Sequence, residues 1–155
     1  MDFRITGLSP EPFKPLYRLS QPALAQHGAL RLIVDRDPGY PDRIELRDAA
    51  VGETVLLVNY AHLQVRTPFR STYAIYVREG AETRYDRINE VPKLLRSRVL
   101  SLRAFDAHDM LCDADIVEGA AIEDLICRQL SSPRTAYIHA HYAKPGCFAA
   151  RIERA

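Results

Sequence analysis

The sequence predicts an α+β fold: a mainly antiparallel β-sheet built from hairpins, with two to four short helices, in one domain spanning residues 1–155. Three observations predict it. Short stretches in which apolar and polar residues alternate recur along the chain, the period-2 signature of half-buried strands. Turn-forming groups such as Pro145-Gly146 lie between neighbouring stretches, which favours hairpins. Only around Leu125 do apolar residues recur over a longer segment at helical spacing, so the helices are few. A chain of 155 residues is long enough to bury a core of its own.

The elements follow in order. Asp2 to Ile5 is a short strand, and the proline-rich stretch from Gly7 to Pro15 is a turn followed by a brief helical or extended segment. Ser20 suits an N-cap for a helix from Pro22 to His27, which Gly28 stops. Leu30 to Val34 is a strand, 37–41 a loop, and Arg43 to Leu46 another strand. Thr54 to Tyr60 carries a continuous apolar run, which predicts a central strand buried on both faces. Asn59 and His62 stand at its exit, a common place to build a site. The loop 64–72, with Arg70, is a candidate ligand-contacting segment, and Tyr73 to Val77 is the next strand.

Pro92 opens a short helix within 90–98. Val99 to Val117 reads as a hairpin turning at 106–109, with Arg103 opposite Asp113 and Ser101 opposite Asp115. Ala120 to Leu130 is the strongest helix: Ile122, Leu125, Ile126 and Leu130 share one face, and Glu123 and Asp124 favour its N-terminal dipole.

The chemistry concentrates in the last hairpin, 135–152. Tyr137, His139 and His141 alternate with Ala136, Ile138 and Ala140, and Cys147 and Arg151 alternate with Phe148, Ala150 and Ile152. If one face is buried, a five-residue loop over 142–146 keeps the apolar sets together, because a one-residue slip would exchange the faces. That register sets His141 opposite Cys147, His139 opposite Ala149 and Tyr137 opposite Arg151. One face then presents both imidazoles, the thiol and the guanidinium.

Imidazole titrates near neutral pH, so His139 and His141 are the candidate acid–base residues, with Cys147 as nucleophile. Lys144, Arg151, Tyr137, Asn59, His62 and Arg70 are the candidate ligand-binding residues, and their charges favour an anionic small molecule. No cofactor is the simplest expectation. Were a divalent metal such as zinc bound, His139, His141 and Cys147 would be its ligands, set against the plainer reading of ordinary polar-face residues.

The hairpin run His139 to Arg151 resembles the signature of a bacterial family of unknown function, DUF1203. The similarity extends to 3–8, 52–60, 74–80 and 100–106, nearly the whole chain. Two departures stand out. Asp42 follows Pro41 where the resemblance leads one to expect Cys, and Tyr142 stands where Asn is expected. The resemblance implies a small cytoplasmic protein and supplies no activity.

Composition narrows the classes. A formal net charge of +1 gives no global field toward nucleic acid or membrane. Three widely spaced cysteines, with no Cys-x-x-Cys, suit a reduced, cytoplasmic setting. The sequence lacks a dinucleotide fingerprint, a P-loop, a nucleophile elbow and a His-Glu-x-x-His motif. Two readings remain: a small-ligand-binding protein or enzyme with its pocket on the last hairpin, and a non-catalytic interaction module or homodimer using Tyr137 and Tyr142.

Overall fold

The computed structural model describes residues 1–155 and is α+β with two antiparallel sheets. The strands are β1 (Phe3–Thr6), β2 (Leu30–Ile33), β3 (Thr54–Leu63), β4 (Ser71–Arg78), β5 (Asp86–Ile88), β6 (Val99–Phe105), β7 (Leu111–Glu118), β8 (Tyr137–Tyr142) and β9 (Phe148–Arg154). The large sheet has the order β5-β1-β9-β8-β6-β7, and β2-β3-β4 form the small one. Three α-helices accompany them: α1 (Gln21–Gln26), α2 (Lys93–Arg96) and α3 (Ile122–Ser131).

Local signals explain several of these. The Ser20 hydroxyl accepts from the Ala23 N–H and caps α1, and Gly28, at φ +66°, ends that segment in a conformation that favours glycine. Helix α3 turns Ile122, Leu125, Ile126 and Leu130 into the main core, where they meet Leu100, Leu102, Ala104, Ile138 and Ala140 of the large sheet. Strand β3 is central in its sheet, and Leu56 and Val58 pack with Ile75, Val77, Phe13 and Leu24 in a second core.

Three expectations need correction. Arg43 to Leu46 is not a ladder strand; only isolated bridges at Pro41 and Asp42 flank it. The segment is held instead by buried side chains. Asp42, fully buried, accepts the backbone N–H groups of Glu45 and Arg78 at 2.6 and 2.7 Å. Asn59 and His62 do not stand at the exit of β3: the strand runs on to Leu63, so His62 as well as Asn59 lies within it. In the β6–β7 hairpin the register is one residue off the expected one: Arg103 opposes Ala114, and Asp113 opposes Ala104. Asp113 and Asp115 pair instead with Arg128 of α3. A helix packed beside the edge strand therefore supplies the counter-charge that Arg103 was expected to give.

No helix is long and apolar enough to cross a membrane. All three cysteines are free thiols.

Candidate functional site

The β8–β9 hairpin departs from the expected register, and the departure reorganises the site. His139 opposes Arg151 and Ala140 opposes Ala150, but His141 opposes Phe148, so Ala149 is an extra residue in a β-bulge. Beyond it the Tyr142 N–H donates to the Cys147 carbonyl at 3.0 Å, and the Gly146 N–H donates to the Tyr142 carbonyl at 2.8 Å. The loop is four residues, 143–146. The bulge reverses the phase of β9, so Phe148 joins the imidazoles and Cys147 joins Tyr142 on the other face. The proposed neighbours His141 and Cys147 are thus separated by the sheet. The reason is burial: every residue of β8 is buried, so neither face offers the solvent contrast on which the alternation argument relied.

One face is an aromatic cluster. The rings of His139 and His141 are 6.3 Å apart between centroids, and His62 of β3 lies 6.2 Å from the first and 5.1 Å from the second. Phe148 stacks on His62 and meets both other imidazoles edge-on. Burial pushes all three histidines below their ordinary value, His139 to about 2 and His141 to about 4, so they are neutral at pH 7. The Gly146 carbonyl lies 2.9 Å from His141 Nδ1, which fixes that nitrogen as the protonated one. Tyr137 donates to Asp109 at 2.7 Å and lies under the Arg151 guanidinium, 4.0 Å from its ring centroid. Arg103 and Ser101 share this face, opposite His139 and His141.

The other face opens into a cavity of about 530 Å3 between the turn end of the hairpin and the small sheet. Leu57, Ala74 and Tyr76 form its apolar wall; Tyr142, Cys147 and Lys144 come from the hairpin. Arg43 anchors the junction. It is 1% exposed and donates to the Phe148 carbonyl, the Pro41 carbonyl and the Cys147 sulfur at 2.9, 2.5 and 3.0 Å. None of these partners is a carboxylate. Its guanidinium carbon lies 5.0 Å from the Tyr142 ring centroid, and that of Arg98, itself paired with Asp48, lies 5.4 Å from it. The Tyr142 hydroxyl is buried with no hydrogen-bond partner, and burial pushes it up to about 12.

The structure therefore brings together His62, His139, His141, Tyr137 and Arg151 on one face, and Cys147 and Lys144 on the other. Asn59 is exposed and accepts from Thr72, and Arg70 is exposed in its loop; neither lines the cavity. His139, His141 and Cys147 are not a common ligand set, and no group of three or more His, Cys, Asp or Glu side chains is arranged to hold a metal. Tyr137 and Tyr142, expected at an interface in the second reading, are both buried. Sequence reasoning missed Arg43, Arg98, Arg103 and the cavity role of Tyr142. The departure at Tyr142 from the expected Asn was the one signal that marked this position.

A family model described as "Protein of unknown function (DUF1203)" matches residues 39–154. The matched stretch contains both faces of the hairpin and the whole cavity wall. No curated protein matches, and no solved structure does. The chain belongs to the DUF1203 family.

Proposed function

We propose that this member of the DUF1203 family binds a small anionic molecule with an apolar body in the cavity at the turn end of its C-terminal hairpin. The observation that carries the reading is the buried, unpartnered Tyr142 hydroxyl beside Arg43, a buried cation with no carboxylate partner. A buried polar group without a partner costs on the order of 1–3 kcal/mol, and a ligand oxygen would remove that cost. The apolar wall of Leu57, Ala74 and Val99 suits a hydrocarbon or aromatic body, and Lys144 at the rim suits the anionic head. Such cavities commonly combine apolar lining with a few convergent polar groups.

Binding is favoured over catalysis. Cys147 is the nucleophile this cavity would offer, but His139 and His141 lie on the opposite face, so no imidazole serves it as base. Calorimetric titration with octanoate, and with 1-octanol as the uncharged counterpart, tests the reading. Octanoate is expected to bind and octanol to bind at least tenfold more weakly. Tyr142→Phe should weaken octanoate roughly five- to tenfold, about 1 kcal/mol for one hydrogen bond. Equal binding of the two probes, or none of either, rejects the proposal.

A further inference from the structure

We infer that the imidazole face is a second site, independent of the cavity, which takes a small inorganic oxyanion such as phosphate between Arg103, Ser101 and the rings of His62 and His139. Arg103 is the first observation. It is half-buried on β6, directly across from His139, and makes neither an ion pair nor a side-chain hydrogen bond. The acids of the adjoining strands are engaged elsewhere: Asp113 and Asp115 by Arg128, Asp109 by the Tyr137 hydroxyl, Glu153 by Arg151. A guanidinium drawn partly out of water without an acceptor is stabilised by an anion placed against it.

The second observation is independent. His139 is 3% exposed, yet its Nδ1 has no hydrogen-bond partner, and the same holds for the buried Nδ1 of His62. Ser101, across from His141, adds a hydroxyl to the same face. A neutral imidazole offers one N–H, a serine one O–H and an arginine five N–H groups, so the set is rich in donors. His62 and Arg103, both partly exposed, form the solvent side of the cluster. A cation is the poorer occupant, because Arg103 would repel it and the ligand groups are not arranged for one.

The test reads the histidine ring nitrogens by long-range proton–nitrogen NMR of uniformly labelled protein at pH 7. Sodium phosphate is titrated at constant ionic strength against sodium chloride, and zinc chloride is titrated into a separate sample. The expected result is a saturable phosphate-dependent shift of His62, His139 and His141, with His27 and His108 unmoved. Arg103→Gln should weaken the response at least tenfold, Arg103→Lys should weaken it less, and Tyr142→Phe, which weakens binding in the cavity, should leave it unchanged. Linear shifts shared by all five histidines would overturn the inference. So would a response to zinc in place of phosphate, or full binding retained by Arg103→Gln. Should Arg103→Gln fail to fold, the wild-type titration and the lysine variant still decide.

Discussion

Arg43 donates through Nη2 to the sulfur of Cys147 at 3.0 Å, joining residues 104 positions apart in sequence. The same guanidinium holds the Phe148 carbonyl and the Pro41 carbonyl. It therefore locks the loop after β2 to the bulged end of β9, and the cavity exists where these two segments meet the small sheet.

Truncating the two partners should have unequal effects. Arg43→Met leaves two carbonyls without their donor inside the protein and should destabilise the fold by about 3 kcal/mol or more. Cys147→Ala removes one hydrogen bond and a small apolar side chain, and should cost about 1–2 kcal/mol. Urea midpoints at pH 7 measure both. Equal losses would show that the carbonyl contacts of Arg43 contribute nothing.

The buried imidazoles make stability depend on pH in a defined window. In the unfolded chain they take up protons near their ordinary value of 6.5, whereas burial holds His141 down to about 4 and His139 to about 2 in the folded protein. Below pH 6.5 the unfolded state binds more protons, so stability present at pH 7 is lost as pH falls toward 4. The loss is about 1 kcal/mol per pH unit for each imidazole. Urea midpoints at pH 7.5 and 5.5 should differ accordingly. His139→Phe, which keeps an aromatic ring among Phe105, Tyr137 and Phe148, should flatten the dependence; an unchanged slope would assign it to other groups.

Gly7 sets the position of Arg43 from the opposite side. Its backbone lies so close to Ile44 that a Cβ would collide with the Ile44 carbonyl oxygen, and the next N–H, of Leu8, donates to the Arg43 carbonyl at 2.7 Å. Gly7→Ala is expected to cost more than about 2 kcal/mol and to weaken octanoate binding, since the displaced backbone carries the guanidinium. Thermal unfolding and calorimetry check the two effects. A stable variant with unaltered binding would uncouple this contact from the cavity.

Elements with strong local signals were legible in the sequence. The Ser20 cap, the α3 stripe and the apolar run of β3 depend on neighbours within a few residues, and the structure has each of them. Features settled by distant partners were not. The three-residue strand β5 exists because β1 offers an edge, and its own sequence carries no alternation to speak of. The segment after Pro41 reads as a strand by composition, but Asp42 bonds backbone amides and Arg43 bonds carbonyls across the molecule. Asp113 and Asp115 prefer Arg128 because α3 lies over β7. For the candidate site, the sequence located the hairpin and its two histidines. It missed the partition of that hairpin, since a bulge inside a doubly covered strand leaves no trace in polar–apolar alternation.

The extra residue at Ala149 acts as a parity switch. Excising it would leave Phe148 opposite His141 and Cys147 opposite Tyr142 in a regular ladder, whereas straightening the strand with every residue kept would swing the sulfur across to the imidazoles and carry the phenyl ring toward Arg43. Nucleophile and base are thus insulated from each other by the thickness of the sheet only for as long as one methyl-bearing residue stays out of the ladder.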